Sequence, residues 1–257
     1  MSAPFSNPFS LEGCAVLVTG ASSGIGQCVA VRASQRGARL LLLGRDEERL
    51  NETRDMMEGE GHVILSLDLR EAGEVEPRLG EALKDIGPLH GLVHSAGVAP
   101  TTLLRDETPE HMESIMRTNW LAFMMLAKAV CRRGRYASGL SVVAVASITA
   151  AIGQAGLSAY GASKGALIAA VRSLAAEYAP RGIRFNCVSP APVDTPMQRQ
   201  TRERLGEDWY QREVLDRAKL GTLAPEDVAD PVIFLLSNAS RRITGTNMIV
   251  DGGYSLT

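Results

Sequence analysis

Short apolar runs alternate with amphipathic segments along almost the whole chain. Because the apolar runs are nearly continuous, they suit β-strands that are buried on both faces of a parallel sheet. The predicted strands span residues 14–19, 40–43, 63–67, 89–94, 140–146, 183–188 and 247–250. The amphipathic segments predict helices at residues 24–36, 46–58, 71–86, 109–132, 158–178 and 225–236.

This alternation determines the expected fold class. Strands that alternate with helices are joined by right-handed crossovers and form a doubly wound sheet. We therefore predict a Rossmann-type α/β fold, a three-layer sandwich with a seven-stranded parallel sheet. No repeat or linker interrupts the pattern, so residues 1–257 are expected to form one domain. Ligands of such sheets bind at the carboxyl ends of the strands, so functional residues should follow the apolar runs.

Composition and charge exclude several function classes. A formal net charge of −2 gives no global electrostatic reason to expect binding to nucleic acid or an anionic membrane. The scattered cysteines favour buried free thiols over disulfides or a metal site, and the histidines show no metal-ligand spacing. These residues are Cys14, Cys28, Cys131, Cys187, His62, His90, His94 and His111. Residues 1–11 carry no targeting signal and no apolar run reaches membrane-spanning length, so a cytoplasmic protein is expected.

A glycine-rich turn follows the first predicted strand and opens the first predicted helix. Residues 19–26 read TGASSGIG. Glycine permits a tight turn in which backbone amides approach a pyrophosphate, and the helix N-terminus adds partial positive charge. The GxxxGxG spacing differs from the GxGxxG spacing of the commonest dinucleotide-binding fold. A nucleotide-binding turn is therefore expected here.

A second group of residues suggests acid/base chemistry. Tyr160 and Lys164 lie four residues apart in predicted helix 158–178, so they share one face with Cβ atoms about 6 Å apart. The pair alone is a weak signal because helices commonly carry such pairs. Ser147 strengthens it, since this hydroxyl ends predicted strand 140–146 and therefore belongs to the ligand-binding edge of the sheet.

Together these motifs resemble the short-chain dehydrogenase/reductase family, in its compact single-domain branch. The resemblance extends over roughly residues 11–254. In chain order the motifs are residues 19–26, Asp68, His94-Ser95-Ala96-Gly97, Asn119, Ser147, Tyr160 with Lys164, Ser189-Pro190 and Asp251-Gly252-Gly253. The resemblance implies an NAD(P)-dependent oxidoreductase that transfers hydride between a nicotinamide cofactor and a carbonyl or secondary alcohol.

The resemblance also implies roles for individual residues. Ser147 would orient the substrate carbonyl and Tyr160 would act as the catalytic acid or base. Lys164 would hold the nicotinamide ribose and lower the pKa of Tyr160, while Asn119 would anchor a water that connects Lys164 to solvent. Asp68 would contact the adenine, and Val193 and Thr195 the carboxamide. The full expected cofactor set is Gly20, Ser22, Ser23, Gly24, Ile25, Gly26, Arg45, Asp68, Leu69, Ala96, Gly97, Tyr160, Lys164, Pro190, Val193 and Thr195.

The end of the second predicted strand favours NADP(H) over NAD(H). NAD-binding members of the family carry an acid where this chain has Gly44, and that acid would repel a 2′-phosphate. Arg45 follows, and a guanidinium can pair bidentately with phosphate. The alternative is a solvated Arg45 that is paired with a nearby carboxylate such as Asp46.

The chain departs from the family pattern at two places. His94-Ser95 replaces two asparagines, so the side-chain links that brace the central sheet must differ. Ala191-Pro192 follows Pro190, where the family has glycine, so this loop is expected to be stiffer. Residues 196–220 are expected to be a substrate lid whose arginines form a solvated amphipathic surface, with an anion site as the alternative.

Three functions fit the sequence. A 3-oxoacyl-carrier-protein reductase-like activity is the leading hypothesis. A sugar or polyol dehydrogenase of the same fold is the alternative, and a non-catalytic NADP(H)-binding redox sensor is disfavoured because it would need neither Tyr160 nor Lys164. The resemblance further implies a homotetramer assembled through helices 109–132 and 158–178. Small or apolar outer positions there are Ala122, Ala129, Ala162, Ala166 and Ala169.

Overall fold

A computed structural model describes residues 7–256; residues 1–6 and 257 of the predicted domain lie outside this range. Seven parallel strands form one sheet in the order β3-β2-β1-β4-β5-β6-β7. The strands are β1 (Ala15–Thr19), β2 (Arg39–Gly44), β3 (Val63–Ser66), β4 (Leu89–His94), β5 (Tyr136–Val145), β6 (Arg184–Pro190) and β7 (Asn247–Val250). The predicted fold class is confirmed, and the strand order reverses between β1 and β4.

Helices cover both faces of the sheet. They are α1 (Gly24–Ser34), α2 (Glu47–Asp55), α3 (Ala72–Ile86), α4 (Pro109–Met116), α5 (Ala122–Val130), α6 (Ser158–Tyr178), α7 (Pro196–Leu205), α8 (Glu207–Tyr210) and α9 (Pro225–Leu236). Thr108 caps α4 by accepting a hydrogen bond from the His111 amide at 3.2 Å, and Pro109 is its first residue. The helix therefore begins at the predicted residue, 109.

Some predicted boundaries were wrong for identifiable reasons. The helix predicted at 109–132 is interrupted by a π-helical turn, Arg117–Leu121, between α4 and α5. Apolar periodicity does not reveal a single wider turn, because both flanking helices keep the same buried side. β5 begins at Tyr136, before the apolar run, because Tyr136 pairs with Leu89 ahead of a register shift in β4.

Alternation of side chains between the two faces explains the continuous apolar strands. In β1, Leu17 packs on one side of the sheet, whereas Val16 and Val18 pack on the other. β2 does the same with Leu41 and Leu42. Each strand therefore contributes to two separate hydrophobic layers, as expected of a parallel sheet that helices cover on both sides.

The cysteines are free thiols, but only two of the four are buried as expected. All four cysteines are free; Cys131 and Cys187 are buried, and Cys14 and Cys28 are partly exposed. Burial raises the pKa of Cys187 to about 12. Within residues 7–256 no helix is long and apolar enough to cross a membrane.

The start of α1 lies directly against the end of β1. A Cβ atom at Gly26 would stand 2.3 Å from the Gly20 carbonyl oxygen. Gly80, in the middle of α3, has only Arg135 Nη2 near its Cβ position, at 3.5 Å.

We expect Gly26→Ala to lower the free energy of unfolding by about 1–3 kcal/mol, because the helix must move off the strand. Gly80→Ala, the control, should raise it by up to about 1 kcal/mol, because alanine favours helix without a clash. Urea unfolding of both variants measures the difference. Equal effects would contradict the close approach of α1 to β1.

Candidate active site

The glycine-rich turn forms a cradle at the carboxyl end of β1. Gly20 and Gly24 have φ values of 66° and 57°, a region that glycine adopts without strain. A Cβ atom at Gly24 would lie 3.1 Å from the Thr195 methyl carbon. The loop is therefore shaped for close approach of backbone amides to a ligand at the start of α1. This cradle fits the pyrophosphate of a dinucleotide.

Two adjoining cavities meet at the carboxyl edge of the sheet. The first, which we call the glycine-loop cleft, contains most of the expected cofactor residues. They are Gly20, Ser22, Ser23, Gly24, Ile25, Arg45, Asp68, Leu69, Ala96, Gly97 and Thr195. The second, the Tyr160 cavity, is lined by Ser147, Tyr160, Lys164, Pro190 and Val193 among others, and it shares Ile25, Gly97 and Thr195 with the first. Gly26, another expected cofactor residue, is not among the lining residues of either cavity; it packs against the carbonyl groups of Thr19 and Gly20.

Tyr160, Lys164 and Ser147 come together in the Tyr160 cavity. The Lys164 ammonium lies 5.7 Å from the centre of the Tyr160 ring and donates a hydrogen bond to the Val145 carbonyl oxygen at 2.9 Å. Ser147 follows β5 and is 8% exposed. The side chains of one strand end and one helix face thus converge, as the sequence predicted.

Thr149, which the sequence did not indicate as a site residue, orients Ser147. The Ser147 hydroxyl oxygen accepts hydrogen bonds from the Thr149 amide at 3.2 Å and the Thr149 hydroxyl at 2.9 Å. Its own proton is left for a third partner in the cavity. Gly161 allows this arrangement, because a Cβ there would stand 2.8 Å from the Thr149 carbonyl oxygen. The two-residue spacing of Ser147 and Thr149 could have indicated this contact, because serine hydroxyls commonly bond to the backbone two residues further on.

Asn119 lies in the π-helical turn and is fully buried. Its side-chain oxygen accepts from the Val98 amide at 2.8 Å, and its amide nitrogen donates to the Val98 carbonyl at 3.0 Å and to the Ser163 hydroxyl at 2.9 Å. Ser163 in turn donates to the Tyr160 carbonyl at 2.7 Å. The Asn119 side chain therefore ties the chain after β4 to the helix that carries Tyr160.

His94 stands where the family pattern has an asparagine, and its side chain links Thr19 to Asn119. Its Nδ1 lies 3.2 Å from the Thr19 hydroxyl and its Nε2 lies 3.2 Å from the Asn119 carbonyl oxygen. The Thr19 oxygen already accepts from the Ser95 and Ala96 amides at 3.2 and 3.1 Å, so its proton goes to Nδ1, and Nε2–H donates to Asn119. Burial, with the charge of Lys164, lowers the pKa of His94 to about 3, so the ring is neutral.

Burial dominates the pKa values of the central pair. It raises the pKa of Tyr160, although a hydrogen-bonding interaction with Ser147 opposes this change. It lowers the pKa of Lys164 to about 8. The net shift of the Tyr160 pKa is opposite to the expected lowering by Lys164, because desolvation of the phenolate is the largest effect and outweighs the hydrogen bond from Ser147.

Arg45 projects from the end of β2 at the rim of the glycine-loop cleft and is exposed. Of the residues that the structure describes, none forms an ion pair with it. Asp68 on the same rim pairs with Arg70, which donates from Nη2 at 2.6 Å, and this bond lowers the pKa of Asp68. Arg70 also lines the cleft and was missed by the sequence analysis.

The loop between β6 and α7, which contains Pro192, is held to neighbouring segments by backbone contacts. The Ala191 amide donates to the Val250 carbonyl at 3.1 Å, and Val193 forms an isolated parallel bridge with Leu223. Thr195 then caps α7 by accepting from the Gln198 amide at 3.3 Å. The loop thus carries Val193 and Thr195 into the Tyr160 cavity.

Residues 196–220 cover one side of the Tyr160 cavity. α7 and α8 contribute four lining residues, Met197, Gln198, Thr201 and Trp209. The arginines are engaged elsewhere: Arg199 pairs with Asp194 at 2.7 Å and Arg202 pairs with Glu207 at 2.6 Å. Because these arginines are already paired with carboxylates at the surface, the structure favours a solvated amphipathic surface for residues 196–220 over an anion-binding site.

Lys164→Met tests the desolvation of Lys164 through stability alone. Folding lowers the Lys164 pKa from 10.5 to about 8, so the buried ammonium destabilises the fold at neutral pH. This cost falls as the pH rises through 8 towards 10.5. Relative to the Met variant, the wild-type free energy of unfolding should gain about 2 kcal/mol between about pH 6.5 and 9.5. Urea titrations measure it, with exposed Lys128→Met as the control. A pH-independent difference would contradict the lowered pKa.

Comparison with known proteins identifies the family. A family model described as enoyl-(acyl carrier protein) reductase matches residues 20–255. The chain is 34% identical to 3-oxoacyl-[acyl-carrier-protein] reductase FabG of Chlamydia pneumoniae, over 95% of this chain and 98% of that protein. It is 33% identical to glucose 1-dehydrogenase of Gluconobacter oxydans, over 100% of this chain and 96% of that protein.

The fold is also similar to that of a solved structure. The short-chain type dehydrogenase/reductase from Mycobacterium marinum superposes with a TM-score of 0.87 at 28% identity, covering 97% of this chain and 98% of that one. Fold, site geometry and sequence therefore lead to one conclusion. The chain belongs to the short-chain dehydrogenase/reductase family, whose members are oxidoreductases that use a nicotinamide cofactor.

Proposed function

We propose that the protein is an NADPH-dependent carbonyl reductase in which Tyr160 is the catalytic acid, and the base in the reverse reaction. The observation that carries this proposal is the convergence of Ser147, Tyr160 and Lys164 in one cavity beside the glycine-loop cleft. A cradle for a dinucleotide next to a buried phenol is the arrangement that coupled hydride and proton transfer needs.

Ser147 and Tyr160 have different roles at the substrate carbonyl. A bound nicotinamide would supply or accept hydride at the carbonyl carbon. The Ser147 hydroxyl, which Thr149 leaves with its proton free, donates a hydrogen bond to the carbonyl oxygen and orients it. The Tyr160 phenol, kept protonated by burial, delivers its proton to the same oxygen as negative charge develops.

Lys164 and Asn119 support Tyr160. We place the ammonium against the nicotinamide ribose, where the approach of further polar groups would offset its desolvation and favour its charged form. A charged Lys164 would then bring the Tyr160 pKa down towards the working pH. The Asn119 side chain is committed to Val98 and Ser163, and its main-chain carbonyl oxygen accepts from His94. A water held by Asn119 would therefore use the second lone pair of that main-chain oxygen.

NADP(H) is the proposed cofactor because Arg45 is unpaired at the rim of the cleft. At Gly44, a Cβ atom would stand 3.2 Å from Leu50 Cδ2, so the position where NAD-binding members carry an acid is small and closely packed. A 2′-phosphate beside Arg45 would gain a charge-assisted bidentate contact without breaking an existing ion pair.

For the substrate we propose a 3-oxoacyl thioester, as in 3-oxoacyl-carrier-protein reductases. Similarity to the Chlamydia enzyme supports this reading. Similarity to glucose 1-dehydrogenase supports the sugar or polyol alternative. A redox sensor stays disfavoured, since it would have no use for the bonded set of Ser147, Thr149 and Tyr160. A screen of acyl thioesters against keto-sugars that follows NADPH oxidation separates the two substrate classes.

A cytoplasmic homotetramer completes the proposal. Ala162 and Ala169 of α6 are exposed in the single chain and are suited to a helix–helix contact. Ala122 and Ala129 of α5 are 1% exposed and pack against the sheet, so they do not contribute to such a contact. The free cysteines are compatible with a reducing compartment.

Tyr160→Phe tests the catalytic acid. It should lower turnover by about 10²–10⁴-fold while NADPH binding, followed by fluorescence, changes little, because only the transferable proton is removed. Tyr178→Phe is the matched control, since Tyr178 lies at the far end of α6 and packs on Phe185 with ring centres 5.6 Å apart. Substantial residual turnover in the Tyr160 variant would refute the assigned mechanism.

Arg45→Ala tests the cofactor preference. NADPH affinity should fall about 10-fold or more and NADH affinity should stay nearly constant, because only the phosphate contact is lost. Fluorescence titrations with both cofactors measure this, and Arg36→Ala, which removes an exposed arginine elsewhere, controls for net charge. Equal wild-type affinities for the two cofactors would defeat the argument.

A further inference from the structure

The side-chain amide of Gln198 has no partner in the protein. Its Nε2 is the one buried side-chain nitrogen or oxygen atom of residues 7–256 that makes no hydrogen bond. A buried donor left unpaired costs free energy comparable to a lost hydrogen bond, and native structures contain few of them. This amide is therefore a candidate hydrogen-bond donor to a bound ligand.

The position of Gln198 identifies which ligand this is. Gln198 lines the Tyr160 cavity together with Ser147 and Tyr160. It does not line the glycine-loop cleft, although its neighbours Pro196 and Met197 do. The Gln198 side chain therefore lines the substrate side of the site and not the cofactor side, with its Nε2 atom turned in and buried.

The start of α7 holds Gln198 in this place. Its backbone amide donates to the Thr195 hydroxyl at 3.3 Å, and that hydroxyl donates to the Val193 carbonyl at 3.2 Å. Arg199, the next residue, points to Asp194, with which it pairs at 2.7 Å. The first turn of the helix is thus anchored on both sides of Gln198.

The charge of the cavity limits what Gln198 can bind. Lys164 is the only charged side chain among the described residues that line the Tyr160 cavity. A carboxylate or phosphate close to the reacting carbonyl would lose its hydration without gaining a dedicated cation. The group that meets Gln198 is therefore neutral, and because Nε2 only donates, it must be an acceptor.

We propose that Gln198 is a specificity-determining residue whose side-chain amide turns into the Tyr160 cavity and donates a hydrogen bond to a second, uncharged oxygen of the substrate. The preferred substrate class is then a neutral carbonyl compound with another acceptor oxygen near the reacting carbon. That oxygen can be an acyl carbonyl or a sugar hydroxyl. The inference rests on the proposed function, since it assumes that Ser147 and Tyr160 hold the reacting carbonyl.

Three ketone substrates that differ in their second oxygen test the proposal. Ethyl 3-oxobutanoate carries an acyl carbonyl, fructose carries hydroxyls, and 2-heptanone is a ketone without a second oxygen. Wild type is compared with Gln198→Leu, which removes the donor, and with Gln200→Leu, an exposed position on the same helix that lines neither cavity.

Gln198→Leu should lower kcat/KM about 10-fold for a substrate whose second oxygen it binds, and leave 2-heptanone within about 2-fold. Loss with the ester alone identifies an acyl carbonyl, and loss with fructose alone identifies a hydroxyl. Equal loss on all three probes, or no loss on any, would overturn the proposal. Substantial residual turnover by Tyr160→Phe would instead refute the proposed acid, so the two failures are distinguishable.

A stability measurement keeps the proposal testable even if turnover of every probe is slow. Because Gln198→Leu removes an unpaired buried donor, its unfolding midpoint in urea should be at least as high as that of wild type. Gln200→Leu controls for the added apolar side chain. A clear drop confined to Gln198→Leu would mean that the amide has a partner within the protein, and the specificity role would fall.

Discussion

Thr19 and Gly20 at the end of β1 lie directly against Ser95 and Ala96 after β4, and the site is built outward from this contact. The Thr19 hydroxyl accepts from both amides, and a Cβ atom at Gly20 would stand 2.9 Å from the Ala96 nitrogen. The strand order reverses between these two strands, so their ends open a crevice where the connections diverge to opposite faces. The glycine-loop cleft and the Tyr160 cavity both begin at this crevice.

A buried polar network extends from this contact to the acid/base group. His94 links Thr19 to the Asn119 carbonyl, and Asn119 links Val98 to Ser163, which bonds to the backbone of Tyr160. Each member is satisfied by protein, so the network can be rigid without a large desolvation cost. A neutral imidazole suits this position, because a cation there would repel the nearby Lys164 ammonium.

The side chains that we propose to be catalytic illustrate a conflict between stability and function. Burial raises the pKa of Tyr160 and lowers that of Lys164, so both charged forms are disfavoured before ligands arrive. The unpaired amide of Gln198 is a further cost on the substrate side. Such groups persist because a bound ligand can supply what the chain does not. Away from the site, charges such as those of Arg202 and Glu207 form an ion pair at the surface.

The sequence alone determined the fold class, the family and the chemical types at the site. Continuous apolar strands, a glycine turn and Tyr160 with Lys164 carry that information because they depend on local order and spacing. It did not reveal the π-helical turn around Asn119, since a single wider turn leaves apolar periodicity intact. Nor did it predict Thr149 and Ser163 as partners, or His94 as the brace, because hydrogen bonds between distant elements exist only once the chain is packed. The unpaired Gln198 amide is likewise a property of three-dimensional surroundings: glutamine is ordinary in a sequence, and only burial without a partner makes it informative.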